Sequence, residues 1–296
     1  MNIRDGICAY VAGGLGNQLF ILAAAWEQSV RLGVPLYLDS SFGTVRGTRP
    51  FELDTLVSPG TIMRDDSPWR SVRLSKSRVI PIPRMGRAVT RSVFLEKNGD
   101  FFDPTINTIR PGTTLFGYFQ SPMYFPSVRE QMRAVIESAP ETPEETDLIA
   151  RLTADRRVTV HLRRGDYLDA PPERQVLAST AYATRAAALL RSMGMDKPLR
   201  IFTDSPELVR SELGGTGEDV EIIGDDGRLS PINTLKVMAS GESFIMSNSS
   251  FSWWAAWLMQ ERRGDDTVVI APRPWNESGT AKADLLQRDW ISLDTR

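Results

Sequence analysis

The C-terminal half of the chain repeats one pattern, a short and continuously apolar run followed by a longer amphipathic one. Strands are expected at Val158–Leu162, Leu199–Thr203, Val220–Ile223, Phe244–Ser247 and Thr267–Ile270, with helices over Thr180–Ser192, Ser205–Leu213, Ile232–Ser240 and Ser252–Arg262. Strands that are apolar on both faces need cover on both sides, and parallel α/β sheets supply it. The N-terminal half opens on a related unit: a strand at Ile7–Ala12, the turn Gly13-Gly14-Leu15-Gly16, a helix over about Asn17–Leu32 and a strand at Pro35–Leu38. A chain of 296 residues is long enough for two such domains. Between them Glu137–Thr146 carries Pro140, Pro143 and four glutamates and reads as a linker, so domains of 1–142 and 143–296 are expected.

Composition removes several classes of function. A hydrophobic content of 41% with 24% charged residues is that of a globular chain. A net charge of −2 lacks the basic excess of a nucleic-acid binder. Cys8 is the only cysteine and His161 the only histidine, which excludes internal disulfides and Cys- or His-rich metal sites. No secretory signal reads at the N-terminus, and the apolar run Leu19–Ala25 is too short to span a bilayer. A cytoplasmic protein with at most peripheral membrane contact is expected. Arg64–Lys97 holds nine basic and three acidic residues, the mark of a solvated, irregular surface or of a patch facing an anionic membrane or lipid-diphosphate carrier.

Chemistry concentrates in four segments. His161-Leu162-Arg163-Arg164-Gly165-Asp166-Tyr167 leaves the end of an apolar strand. Carboxyl ends of strands are where open α/β sheets bind ligands, and adjacent guanidiniums suit phosphate oxygens. A structural Arg164–Asp166 ion pair is the competing reading. Gly13-Gly14-Leu15-Gly16-Asn17-Gln18 would let backbone amides approach an anion or sugar, although it is neither a P-loop nor a full dinucleotide fingerprint and is also a fair tight turn. Phe202-Thr203-Asp204-Ser205-Pro206-Glu207 leaves Thr203 and Asp204 at the ligand-facing edge of the sheet, with Ser205 placed to cap a helix. Ser247-Asn248-Ser249-Ser250-Phe251-Ser252-Trp253-Trp254 runs a strand into a helix start that offers hydroxyls and amides to an anion, while its tryptophans read as core. The chain contains no Asp-x-Asp, so arginines and a helix terminus, rather than a chelated metal, would stabilise leaving-group charge.

In order along the chain, Gly13-Gly14-Leu15-Gly16-Asn17-Gln18-Leu19-Phe20, Gly117-Tyr118-Phe119-Gln120-Ser121-Pro122, His161 to Tyr167 and Asn248-Ser249-Ser250-Phe251-Ser252-Trp253-Trp254-Ala255-Ala256-Trp257 resemble the α-1,2-fucosyltransferase family of bacterial and animal glycosyltransferases. The resemblance implies a glycosyltransferase-B fold, with two Rossmann-like domains facing across a cleft: an acceptor-side domain first, a donor-side domain second. It implies inverting transfer of fucose from GDP-fucose, as co-substrate, to the 2-hydroxyl of a terminal galactose, with no cofactor and no required metal. The acceptor would be a galactose-terminated glycan, free or lipid-linked, in polysaccharide or oligosaccharide synthesis.

By the same resemblance Arg163 is the main diphosphate ligand, His161 contacts the nucleoside, and Arg164 supports the loop or touches substrate. Asp166, placed with Arg163 and Asn17 among the catalytic residues, orders the loop rather than abstracting a proton. Ser249, Ser250 and Phe251 cap the β-phosphate, with Thr203, Asp204, Gly14 and Gly16 also donor-binding, while Asn17 and Gln18 approach the reacting sugar. One position departs from the family: where relatives carry an aspartate for guanine, fourteen residues before Asn248, this chain has Thr234. Guanine would then be read by Asp204, Asp225 or backbone carbonyls, or the donor differs. Asp169 and Glu173 are candidate general bases or ordinary surface carboxylates, and the loops Phe42–Arg49 and Pro171–Gln175 are candidate acceptor loops. Two other readings stay open, a non-catalytic sugar-nucleotide binder and a dinucleotide-dependent oxidoreductase with Asp39 as its ribose acid.

Overall fold

The structure is a computed structural model that describes residues 5–41, 49–63, 69–75, 78–83, 92–97, 99, 101–165, 178–214, 219–275 and 284–296. It divides into two compact units, Met1–Ser138 with Ala283–Leu285, and Ala139–Lys282 with Leu286–Arg296. Each is built on a wholly parallel sheet, so the chain holds the two α/β domains expected of a glycosyltransferase-B protein.

In the first unit β1 (Ile7–Tyr10) leads into α1 (Leu15–Leu32), and β2 (Leu36–Asp39), β3 (Ile62–Met63), β6 (Ser92–Leu95) and β7 (Thr113–Phe116) complete a sheet of order β3-β2-β1-β7-β6. The strands β4 (Trp69–Ser75) and β5 (Arg78–Pro83) pair antiparallel as a separate ribbon. Over these described residues the basic stretch is a regular ribbon and not the irregular surface expected. In a two-stranded ribbon every strand is an edge, where Pro81 and Pro83 are tolerated. A short helix α2 (Arg129–Glu137) ends the unit.

In the second unit α3 (Pro143–Ala154) precedes β8 (Val158–Leu162), followed by α4 (Thr180–Ser192), β9 (Leu199–Thr203), α5 (Pro206–Leu213), β10 (Val220–Gly224), α6 (Pro231–Met238), β11 (Phe244–Ile245), α7 (Ser250–Arg263), β12 (Val269–Arg273) and β13 (Ile291–Asp294). The sheet order is β10-β9-β8-β11-β12-β13, the doubly wound order in which the winding reverses between β8 and β11. Val158, Val160, Leu162, Ile201, Ile245 and Ile270 form its core with Tyr182, Ala186 and Leu190 of α4. On α7 the rings of Trp253, Trp254 and Trp257 are fully buried and in mutual contact, which gives the tryptophans the packing role read from their spacing. Among the described residues no helix is long and apolar enough to cross a membrane.

Several local expectations change: the strand expected at Ile7–Ala12 ends at Tyr10, and that expected at Thr267–Ile270 runs over Val269–Arg273. The strand expected at Phe244–Ser247 stops at Ile245, because the next residues turn to start α7. Ser205 stands at the N-cap of α5 but its side chain makes no capping bond; its hydroxyl lies 3.3 Å from Asp204 Oδ1 instead. The segment expected as linker is partly helical, since α3 starts at Pro143 with a capping box in which the Thr142 side chain accepts from Glu145 N and Glu145 accepts from Thr142 N.

Candidate active site

The reversal between β8 and β11 creates a crevice at the carboxyl edge of the second sheet, where ligands of this fold class bind. The His161–Gly165 segment leaves β8 there, and Ser247-Asn248-Ser249 enters α7 there. One hydrogen bond joins them: His161 Nδ1 and Ser247 Oγ are 3.0 Å apart, both residues buried. The Phe251 ring centroid lies 5.8 Å from that of His161. Burial, and after it the Arg163 guanidinium, push the His161 pKa down to about 4, with the Asp204 carboxylate opposing them. His161 is therefore a neutral ring at pH 7, and Arg163 is a half-buried cation near it.

The loop after β8 is held from below by one carboxylate. Asp204 Oδ1, at the end of β9, accepts from Arg164 N at 2.7 Å and from Gly165 N at 3.0 Å. Thr203 beside it is buried and accepts from Ser205 N at 3.1 Å. Asp204 thus shapes the loop through its backbone. The Arg164 side chain turns to Glu212 on α5, Nη2 to Oε1 at 2.5 Å, and Thr180 donates to the other oxygen of that carboxylate at 2.8 Å. The Arg164 side chain is thus engaged with α5, the arrangement that the loop-support role would need. Asp166, Asp169, Glu173 and the loop Pro171–Gln175 lie outside the described residues.

At α7 the Ser249 side chain accepts from Phe251 N, and Ser247 N donates to Ser252 Oγ at 3.2 Å. These bonds fix a helix start whose remaining first-turn amides have no intrahelical acceptor, the geometry that favours an anion. Ser250 and Phe251 are half-buried in that first turn, and Ser249 is buried. Asp225 is exposed just after β10, and Thr234 is half-buried on α6. Among the described residues no group of three or more His, Cys, Asp or Glu could hold a metal ion.

The first unit repeats the logic at its own reversal, between β1 and β7. Gly14 is the N-cap of α1, and a Cβ placed on it would meet nothing within 4 Å, so the fold leaves open space above it. Gly16 is buried in the first helical turn. The Gln18 carboxamide is nearly enclosed by backbone, with Nε2 donating to Gly13 O at 2.8 Å and Pro50 O at 2.7 Å, and Oε1 accepting from Glu52 N at 2.8 Å. Asn17, one residue earlier, accepts at Oδ1 from Gln120 Nε2 at 2.7 Å, on the loop that follows β7. Asp39 is buried at the end of β2 and accepts from Ser41 N at 3.0 Å. The loop residues 42–48 lie outside the described residues.

Sequence reasoning missed Ser247, Glu212 and Gln120 as individual residues. Ser247 and Gln120 lie inside the Ser247–Trp254 and Gly117–Pro122 motifs, but their partners lie 86 and 103 positions away, beyond any spacing rule. Nothing local marks Glu212.

The chain is 27% identical to an alpha-1,2-colitosyltransferase of Escherichia coli across 97% of its own length and 99% of that relative's. It is 30% identical to the galactoside alpha-(1,2)-fucosyltransferase 1 of Saimiri sciureus across 60% of this chain and 48% of that protein. Among solved structures, the fucosyltransferase NodZ from Bradyrhizobium aligns over 85% of this chain and 91% of its own at 16% identity, with a TM-score of 0.48. The family model for glycosyl transferase family 11 matches residues 108–294, a span that takes in both loops of the second-unit crevice, and on that match the chain belongs to glycosyl transferase family 11.

Proposed function

We propose that this glycosyltransferase moves fucose from GDP-fucose to the 2-hydroxyl of a terminal galactose on a glycan, with inversion at the anomeric carbon. The observation that carries the proposal is the His161–Ser247 bond, which brings the arginine loop and the α7 N-terminus to one crevice. A diphosphate there would meet a guanidinium from Arg163 and helix-terminal amides near Ser249, Ser250 and Phe251. As the anomeric carbon–oxygen bond breaks, the electron pair goes to the β-phosphate oxygen, and these groups stabilise the charge that develops. The acceptor hydroxyl attacks the opposite face, and as the new glycosidic bond forms its proton leaves to solvent. Neutral His161 would face the nucleoside, and Asn17 would serve the sugar. Gly14 and Gly16 would leave room for it, and Gln18 would hold the glycine turn. No metal is needed in this reading, since the arginine and the helix terminus do that work.

A second reading changes only the donor. Similarity to a protein named a colitosyltransferase favours it, and so does Thr234 where a guanine-reading aspartate is expected. Colitose is fucose without one ring hydroxyl, so the same crevice chemistry would serve.

The test is donor consumption in EDTA against terminal β-galactosides, with GDP-fucose, GDP-colitose and UDP-sugars as donors. Use of GDP-fucose by the wild type, and a drop of roughly a thousandfold or more in Arg163→Ala, are expected. Use of GDP-colitose alone moves the donor assignment. Binding without turnover on these galactosides removes the galactose acceptor and favours an acceptor outside the panel or a binding role, and near-normal turnover by Arg163→Ala removes the phosphate site from this loop.

A further inference from the structure

We propose that Gln120 is a positioning residue that fixes the carboxamide of Asn17 as a hydrogen-bond donor toward the reacting sugar. The inference rests on the placement of Asn17 beside that sugar in the proposed function and adds a residue to it.

An asparagine side chain presents an acceptor on one side and a donor on the other, and nothing in the residue itself decides which faces a ligand. Here both sides are constrained. Gln120 Nε2 donates to Asn17 Oδ1 at 2.7 Å, which turns the oxygen toward Gln120 and decides which way the amide faces. On the other side the side chain lies across Gly13: a Cβ on that residue would be 2.6 Å from Asn17 Nδ2, and Gly13 has φ +81°. Glycine at 13 therefore provides both the turn and the space in which the amide nitrogen sits. With Oδ1 turned to Gln120, the group Asn17 leaves for a substrate is Nδ2, a donor to an oxygen.

The loop that carries Gln120 is held in a conformation that a bulky residue rarely adopts. Phe119 has φ +51°, and its ring is fully buried against Tyr124 and Phe94, at centroid distances of 5.3 Å and 6.3 Å. The amides of Tyr118 and Phe119 donate to one oxygen of Glu96, at 2.8 Å and 3.1 Å. Gly117 makes that approach possible, since a Cβ on it would lie 2.5 Å from Glu96 Cβ. Buried ring and carboxylate together hold the strained residue in place. Strain of this kind persists where the surroundings over-determine it, and it concentrates at functional sites. Its effect here is to aim the next residue, Gln120, at Asn17.

The test is Gln120→Glu, which preserves size but replaces a donor with an acceptor. It should turn the Asn17 amide round, so that Nδ2 faces position 120 and Oδ1 faces the sugar. Expected are a fall in kcat of about tenfold to a hundredfold, the scale of a misplaced catalytic contact, with GDP affinity and melting temperature unchanged. In an Asn17→Ala background the same substitution should have little further effect, because the group it orients is gone. The Asn17 side-chain NH2 resonance, assigned by its loss in Asn17→Asp, should move in Gln120→Glu. An unchanged kcat, an equal loss in the Asn17→Ala background, or an unmoved resonance would each overturn the role of Gln120. If the wild type turns over no donor, the proposed function falls, while the resonance still decides whether Gln120 orients Asn17.

Discussion

His161 is enclosed at the end of β8, with Ser247 on one ring nitrogen and Phe251 beside it. Burial and then Arg163 lower its pKa from 6.5 to about 4, against the pull of Asp204. In the unfolded chain the ring protonates at its ordinary value, so between pH 6.5 and about 4 the unfolded state binds the extra proton. The neutral ring therefore favours the fold above pH 6.5, and stability declines as pH falls through this window, by roughly 3 kcal/mol if the whole shift is realised. Urea unfolding at pH 7 and at pH 4.5 measures it. The wild type should lose more stability than His161→Gln across the interval, and parallel losses would show that His161 titrates normally in the fold. The sequence marked this histidine by its place at a strand end beside two arginines. It could not mark Ser247 as its partner, because that contact arises from the β8–β11 pairing and not from any local rule.

At the scale of elements, α6 carries Thr234, and a set of contacts from the 139–145 segment clasps it. Glu145 accepts from Ser230 N at 2.6 Å and from Thr142 N at 2.9 Å, the Asn233 amide donates to Pro140 O at 3.0 Å, and Lys236 pairs with Glu141 at 2.5 Å. Burial would raise the Glu145 pKa, but the bonds from Ser230 and Thr142 outweigh it and bring it down to about 2. Its contribution is present above the unfolded value of 4.5 and is lost as pH falls from there toward 2. Glu145→Gln should lower stability at pH 7 by about 1–3 kcal/mol, the range for charge-assisted bonds to a buried group. Denaturant unfolding checks it, and a loss that persists unchanged at pH 2.5 would assign the effect to something other than the carboxylate charge. This clasp lay in the stretch read as a linker. The helix signal is in Thr142-Pro143-Glu144-Glu145, a capping-box sequence with proline at the first helical position, and it outweighs the interruption that two prolines and four glutamates suggest. Helices with strong periodicity fared better: α4 runs over the residues expected, Thr180–Ser192. By contrast β13 has half-exposed residues and no apolar run, so nothing in its composition announced a sheet edge.

For the whole molecule, two parallel-sheet units were legible because continuous apolar strands admit few other solutions, and each sheet's reversal point falls where a glycine or arginine motif had been noted. What lay beyond reach were the long-range side-chain bonds that complete each site, such as Gln120 to Asn17 and Arg164 to Glu212. If the second unit alone holds the nucleotide, GDP should stabilise that unit specifically. Five of the seven tryptophans fall in the second unit by sequence, and Trp253, Trp254 and Trp257 are fully buried there, so intrinsic fluorescence reports mainly on its unfolding. A ligand at a hundred times its dissociation constant stabilises by about 2.7 kcal/mol. For a unit of this size that raises the midpoint by roughly 5–10 °C. In EDTA, saturating GDP should produce such a rise in the fluorescence-detected transition and none in Arg163→Ala. An equal rise with UDP would show that Thr234 leaves the base unread, and a GDP rise retained in Arg163→Ala would move the diphosphate away from the β8 loop.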